Sequence, residues 1–249
     1  MSESRRVFIT GGSGAIGRAL AVRFASTGAR VAFTYFMGHE GMEATSAAVR
    51  DAGGEAVPVQ CNLRDKGGPT EAVEGALAAL GGGVDVFVSN AATGVLKPLA
   101  DVSPKSWQGV LQVNAGAFLE MTRQLAPTME AGGRVLALTS AGSLRALEHY
   151  GAIGASKAAL ESLVRAFAME LGPRGITVNA IRPGVVDTPA LQYFPNREQM
   201  LEIARMRTPT GRIATPDDVA DVALFLASEQ AGMINGETIT VDGGYSILA

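Results

Sequence analysis

The sequence has a single cysteine, Cys61, so no intramolecular disulfide can form and a reducing compartment is expected. Cys61 ends the largely apolar run Val57-Pro58-Val59-Gln60-Cys61, where packing is the expected role of a thiol. Long apolar spans are absent, so no membrane segment is expected. Val7-Phe8-Ile9, which follows Met1-Ser2-Glu3-Ser4-Arg5-Arg6, is too short for the apolar core of a signal peptide. A cytoplasmic location is the expectation. Neither sign of charge dominates: 21 basic residues face 24 acidic ones for a net −3, which argues against a nucleic-acid or anionic-membrane partner. No Pro/Ser-rich linker, low-complexity block or short-period repeat divides the chain, and no metal site is expected.

What is present suits one large α/β domain covering 1–249, since 47% hydrophobic residues supply a sizeable core. Short β-branched runs at 7–10, 30–35, 56–61, 84–89, 134–139, 177–181 and 238–241 read as strands. Ala-rich segments near 15–27, 40–52, 68–80, 104–129, 152–171 and 216–227 read as helices. Their alternation predicts a parallel sheet with helices on both faces. Gly28, Gly53-Gly54, Gly81-Gly82-Gly83, Gly132-Gly133 and Gly172 stand where left-handed helix caps are expected. The stretch 189–215 breaks the rhythm with three prolines, four arginines, Tyr193 and Phe194, and is expected to form a lid or binding loop.

Thr10-Gly11-Gly12-Ser13-Gly14-Ala15-Ile16-Gly17 follows the first strand and opens the first helix. Small residues at such a junction let the backbone approach a pyrophosphate, and the helix N-terminus offers it free N–H groups. A dinucleotide site built on Gly11, Ser13, Gly14, Ala15, Ile16 and Gly17 is expected. The second strand ends Phe33-Thr34-Tyr35-Phe36-Met37-Gly38-His39 with no acid before Glu40. An acid there would hold the ribose 2′-hydroxyl, so its absence favours NADP(H) over NAD(H), with Tyr35 beside the cofactor. His39 stands either against a phosphate or in solvent. Asn62, with Leu63 after the third strand, is either an adenine contact or a loop cap.

Tyr150 and Lys157 are seven residues apart, close to two helical turns, so both fall on nearly one face. They are separated by roughly 10 Å along a helix axis, against roughly 6 Å for a spacing of four. The pair suggests an acid–base site; the alternative is an exposed loop tyrosine and a surface lysine. Ser140, seventeen residues before Lys157, offers a second hydroxyl or simply caps a turn. Asn114, in Val113-Asn114-Ala115-Gly116, is a poor helix former placed within an expected helix.

Taken together, Thr10–Gly17, Asn90-Ala91-Ala92, Asn114, Ser140, Lys157, Pro183-Gly184 with Thr188, and Val241-Asp242-Gly243-Gly244 resemble the short-chain dehydrogenase/reductase family over essentially the whole chain. The resemblance implies a doubly wound Rossmann fold, a nicotinamide cofactor and a homotetramer or homodimer. It adds Asn90, Ala91, Pro183, Gly184, Val186 and Thr188 to the cofactor site, with Thr188 and the backbone around Val186 at the nicotinamide amide. It gives Lys157 the ribose hydroxyls and Asn114 a water near that lysine. The chain departs from the family at Ala15 and at Ser89, and most importantly at Ile153, where the family tyrosine normally stands four residues before the lysine.

A tyrosine seven residues before the lysine is similar to the enoyl-thioester reductase branch, above all the type-III bacterial enoyl-acyl-carrier-protein reductases. Residues 89–96, 143–150 and 194–198 carry that resemblance, while Pro183 is closer to ordinary ketoreductases. It implies reduction of the C=C bond of an enoyl thioester, on acyl carrier protein or CoA, in fatty acid or polyketide biosynthesis. The alternatives are a short-chain ketoreductase or alcohol dehydrogenase, or a cofactor-binding protein without catalysis. Hydride arriving at Cβ puts negative charge on the thioester oxygen, further along the conjugated chain than in a ketone, so the stabilising hydroxyl must move as well. Moving it by about one turn does this. Arg197, Arg205, Arg207 and Arg212 are either a basic rim for an acidic carrier protein or a solvated helix face. Tyr193, Phe194, Met200, Ile203 and Met206 either line an acyl pocket or pack the lid.

Overall fold

Along the first strand, Phe8 turns to one core while Val7 and Ile9 turn to the other; the second strand divides Ala32 from Val31 and Phe33 in the same way. Both faces are therefore apolar, as a parallel sheet covered on both sides requires. The computed structural model describes residues 4–194 and 196–248, the side chains of Ala190 and Tyr193 excepted. Expectations resting on Met1–Glu3, the Tyr193 side chain, Pro195 and Ala249 lie outside the described residues. The strands are β1 (Arg6–Ile9), β2 (Arg30–Tyr35), β3 (Glu55–Gln60), β4 (Val86–Ser89), β5 (Arg134–Leu138), β6 (Thr177–Pro183) and β7 (Thr238–Val241). They form one parallel sheet in the order β3-β2-β1-β4-β5-β6-β7.

Helices α1 (Ala15–Ala25), α2 (His39–Asp51) and α8 (Pro216–Leu226) cover one face. Helices α3 (Gly68–Ala79), α5 (Ala117–Leu125) and α6 (Gly151–Leu171) cover the other. This is the doubly wound Rossmann arrangement. Among the described residues no helix is long and apolar enough to cross a membrane.

Three sequence expectations change. The helix expected over 104–129 is broken into α4 (Pro104–Leu111), a π-turn at Gln112–Gly116 and α5, then a 3₁₀ turn at Ala126–Thr128. The π-turn centres on Asn114, whose amide is drawn out to partners on other segments. Gly172 is not a left-handed cap: its φ is −51°, the chain continues through a 3₁₀ turn, and Gly175 takes φ +74° instead. Strand β6 runs past Ile181 to Pro183, which pairs with Val241.

The 189–215 segment contains a 3₁₀ turn at Pro189–Tyr193 and helix α7 (Arg197–Arg207). A parallel bridge between Val186 and Ala214 ties its two ends together. Helix α7 buries Leu201 and Ala204, while Ile203 and Met206 are exposed.

Candidate active site

Between β1 and β4 the strand order reverses, and a groove opens beyond their C-terminal ends, as open α/β sheets provide for ligands. It encloses about 880 Å³. Gly11, Ser13, Gly14, Ala15, Ile16, Gly17, Tyr35, Asn62, Leu63, Asn90, Ala91 and Thr188 all line it. Thr10 and Asn90 lock its floor. Thr10 Oγ1 accepts from the Asn90 and Ala91 N–H groups at 2.9 Å, and Asn90 Nδ2 donates to the carbonyls of Thr10 and Gly11 at 2.9 and 3.1 Å. Gly17 has no alternative here, because a Cβ would stand 2.1 Å from the Gly11 carbonyl oxygen. Gly11 itself takes φ +69°. Helix α1 starts at Ala15 with no side-chain cap. A narrow glycine cradle and an uncapped helix N-terminus fit the pyrophosphate of a dinucleotide.

Asn62 lines the groove and also caps its loop, its Oδ1 accepting from the Arg64 N–H at 3.1 Å and its Nδ2 donating to Asp65 at 3.0 Å. His39 is exposed and sets its ring edge-on to Tyr35, 5.7 Å between centroids. Cys61 is buried, which pushes its thiol pKa up. Lys157, Pro183, Gly184 and Val186 do not line the groove. Gly184 is held to β7 by its N–H, which donates to the Val241 carbonyl at 2.9 Å, and Val186 is buried at the bridge to Ala214.

The hydroxyl-bearing residues gather at the start of α6. Tyr150 is the residue before the helix, not part of it, and its carbonyl accepts from the Gly154 N–H at 2.8 Å. Its ring lies over Gly142, where a Cβ would come within 2.5 Å of it. Burial raises the phenol pKa, and the nearby Ser140 hydroxyl partly opposes that rise. Ser140 Oγ is itself buried with no hydrogen bond of good geometry, so the two hydroxyls are close but not locked together. Ile153 carries nothing polar to this place; its side chain is buried against Gly94, where a Cβ would be 2.3 Å from Cδ1.

Lys157 is 5% exposed, and its Nζ donates to the Leu138 carbonyl at 2.6 Å. Burial pulls its pKa down to about 8, with Glu161 opposing. Asn114 is 2% exposed. Its Oδ1 accepts from the Thr93 N–H at 2.8 Å, and its Nδ2 donates to the Thr93 carbonyl and to Ser156 Oγ, both at 2.9 Å. It thus ties the segment after β4 to α6.

Residues 12–246 match a family model described as Enoyl-(Acyl carrier protein) reductase. The chain is 39% identical to 1-cyclohexenylcarbonyl-CoA reductase of Streptomyces collinus, over 100% of this chain and 89% of that one. It is 34% identical to 3beta-hydroxysteroid dehydrogenase 1 of Eggerthella lenta, over 98% and 95%. A short-chain dehydrogenase from Burkholderia cenocepacia, solved in complex with NADP, superposes with a TM-score of 0.88 at 32% identity, covering 97% of this chain and 98% of the other.

The chain belongs to the short-chain dehydrogenase/reductase family.

It is therefore an oxidoreductase of a fold that binds a nicotinamide dinucleotide. In this short-chain dehydrogenase/reductase, sequence reasoning missed Arg18, Arg64, Thr34, Thr93 and Val113, all of which line the groove. Arg18 was open to inference, since it stands one helical turn past Gly14. The lid arginines carry less free charge than their number suggests. Arg197 pairs with Asp187 at 2.7 Å and with Glu198, Arg212 pairs with Asp218 at 2.6 Å, and Arg207 lies over the Tyr245 ring at 5.8 Å.

Proposed function

We propose that this protein reduces the C=C bond of an enoyl thioester, with NADPH as the reductant. The observation that carries this reading is the placement of the Tyr150 phenol beside Ser140 while Ile153 leaves the usual tyrosine position apolar. The bound nicotinamide would supply a hydride. Gly11–Gly17, Asn90, Ala91 and Thr188 would hold the cofactor, and Arg18 and Arg64 would favour a 2′-phosphate in a groove lined by no carboxylate. As Cβ gained hydride, negative charge would gather on the thioester oxygen; Tyr150 and Ser140 would donate hydrogen bonds to it, and Cα would take a proton from the Tyr150 hydroxyl, which recovers one from solvent. Ser140 Oγ, buried and without a hydrogen bond of good geometry among the described residues, suits that acceptor. Lys157 adds positive charge behind the site.

The Streptomyces collinus relative is named for a coenzyme A thioester, which supports a thioester substrate here. Lys97 and Arg145 line the cavity of about 330 Å³ beside Tyr150 and would meet the phosphates of CoA or of a carrier-protein arm. Pro183 and the hydroxysteroid dehydrogenase relative favour carbonyl reduction as the second reading. NADPH oxidation with crotonyl and acetoacetyl thioesters in parallel decides between them. Activity on the crotonyl thioester is expected; activity on the acetoacetyl thioester alone would overturn the first reading.

A further inference from the structure

Glu161 stands one helical turn beyond Lys157 on α6, 6% exposed. A carboxylate so buried must be fully partnered. Its Oε1 accepts from Thr139 Oγ1 at 2.7 Å, Ser143 Oγ at 2.6 Å and an Arg182 nitrogen at 2.9 Å; Oε2 accepts from the same nitrogen at 3.0 Å. Ser143 Oγ also lies 2.8 Å from the Ser140 carbonyl, so its one proton is shared between the two. Thr139 and Ser143 stand on either side of Ser140, and Leu138, just before them, holds the Lys157 ammonium. Arg182 immediately precedes Pro183-Gly184. Two segments, the 139–143 turn and the end of β6, therefore converge on one carboxylate carried by α6. Stability alone does not account for it, because a buried ion pair generally gains nothing over apolar side chains of similar volume.

We propose that Glu161 is a positioning residue for the acid–base site: it clamps Thr139 and Ser143 and so fixes the Ser140 hydroxyl against the Tyr150 phenol. The proposal rests on Ser140 and Tyr150 acting on substrate, and holds whether C=C or C=O is reduced. Misplacing a reacting group by an ångström can cost about 10²-fold in rate. Glu161→Ala should therefore lower kcat by about that factor while the NADPH Kd stays nearly unchanged. Glu161→Gln keeps an acceptor for both hydroxyls and should lose less.

The decisive experiment is a cycle with Ser140→Ala, run at about pH 6, where the Lys157 ammonium is charged. In the Ser140→Ala background, Glu161→Ala should cost almost nothing further. A loss as large as in the parent would overturn the proposal, since a general structural defect is indifferent to Ser140. Should Glu161→Ala fail to fold, Thr139→Val/Ser143→Ala removes the clamp while keeping the Glu161–Arg182 pair, and full activity in that variant would overturn the proposal equally. The cycle uses whichever thioester is turned over, so failure of the C=C reading appears as a change of substrate with the cycle intact. Should neither be turned over, hydrogen exchange serves. The amides of Ser143, Leu144 and Arg145, now bonded within the 140–145 turn, should exchange faster in the clamp variants, and unchanged protection would overturn the proposal.

Discussion

The Phe194 ring stacks on the Tyr150 ring, with centroids 6.3 Å apart and planes inclined by 29°. The 189–215 segment thereby reaches the phenol directly. Aromatic pairs of this kind contribute about 0.5–1.5 kcal/mol beyond area burial. Phe194→Ala should lower kcat/KM by roughly twofold to twelvefold, the same energy expressed as a rate. Initial-rate kinetics check this, and an unchanged kcat/KM would show that the stacking has no part in turnover.

Tyr150→Phe keeps the ring over Gly142 and removes only the hydroxyl. Turnover should fall by about 10²–10⁴-fold, with NADPH affinity nearly unchanged. Steady-state rates and fluorescence titration of the cofactor separate the two quantities. Wild-type turnover in this variant would remove Tyr150 from the mechanism.

The Lys157 ammonium is held down to about 8 by burial, against an ordinary lysine value of 10.5. The charged form is complete well below that pH and is lost as pH rises through it. The Tyr150 phenol is raised, so it keeps its proton across the same range. The alkaline limb of kcat/KM for the free enzyme should therefore fall near pH 8 and belong to Lys157. A profile flat through about pH 9.5, or one unchanged by Tyr150→Phe and Lys157→Met alike, would contradict this assignment.

Arg18 lines the groove and donates from Nε to Thr45 Oγ1 at 3.2 Å, leaving its terminal nitrogens without a hydrogen bond among the described residues. A charge-assisted hydrogen bond contributes about 1.5–3 kcal/mol. Arg18→Ala should weaken NADPH binding by about tenfold or more and leave NADH binding nearly unaltered. Calorimetry with both cofactors tests it; equal losses would mean that Arg18 does not read the 2′-phosphate.

Much of this fold was legible because local pattern and tertiary role agree. Strand Thr238–Val241 begins and ends where its β-branched residues do, and Arg30–Tyr35 keeps the bounds of the run around Val31-Ala32-Phe33-Thr34. The glycine loop was legible for the same reason: its small residues are needed by their own immediate neighbours. The rest depended on partners distant in sequence. Asn114 was recognisable as a poor helix former, but the π-turn arises from its bonds to Thr93 and Ser156. Glu161 reads in one dimension as an ordinary charge on an Ala-rich helix, and only Thr139, Ser143 and Arg182 show it to be interior. Arg197 and Arg212 read as a basic rim until Asp187 and Asp218 are seen beside them.

The π-turn at Gln112–Gly116 also sets phase. One residue more than an α-helical turn is wound into it, so everything after Gly116 is rotated by about 100° relative to an uninterrupted helix. That rotation directs Phe118, Met121 and Leu125 into the core while α4 buries Val110. Wound as a regular α-helix, the same residues would turn the apolar stripe of α5 out toward solvent. Deleting one residue of the turn would restore a continuous helix with that stripe in place, and its cost would fall on Asn114, carried off its contacts to Thr93 and Ser156.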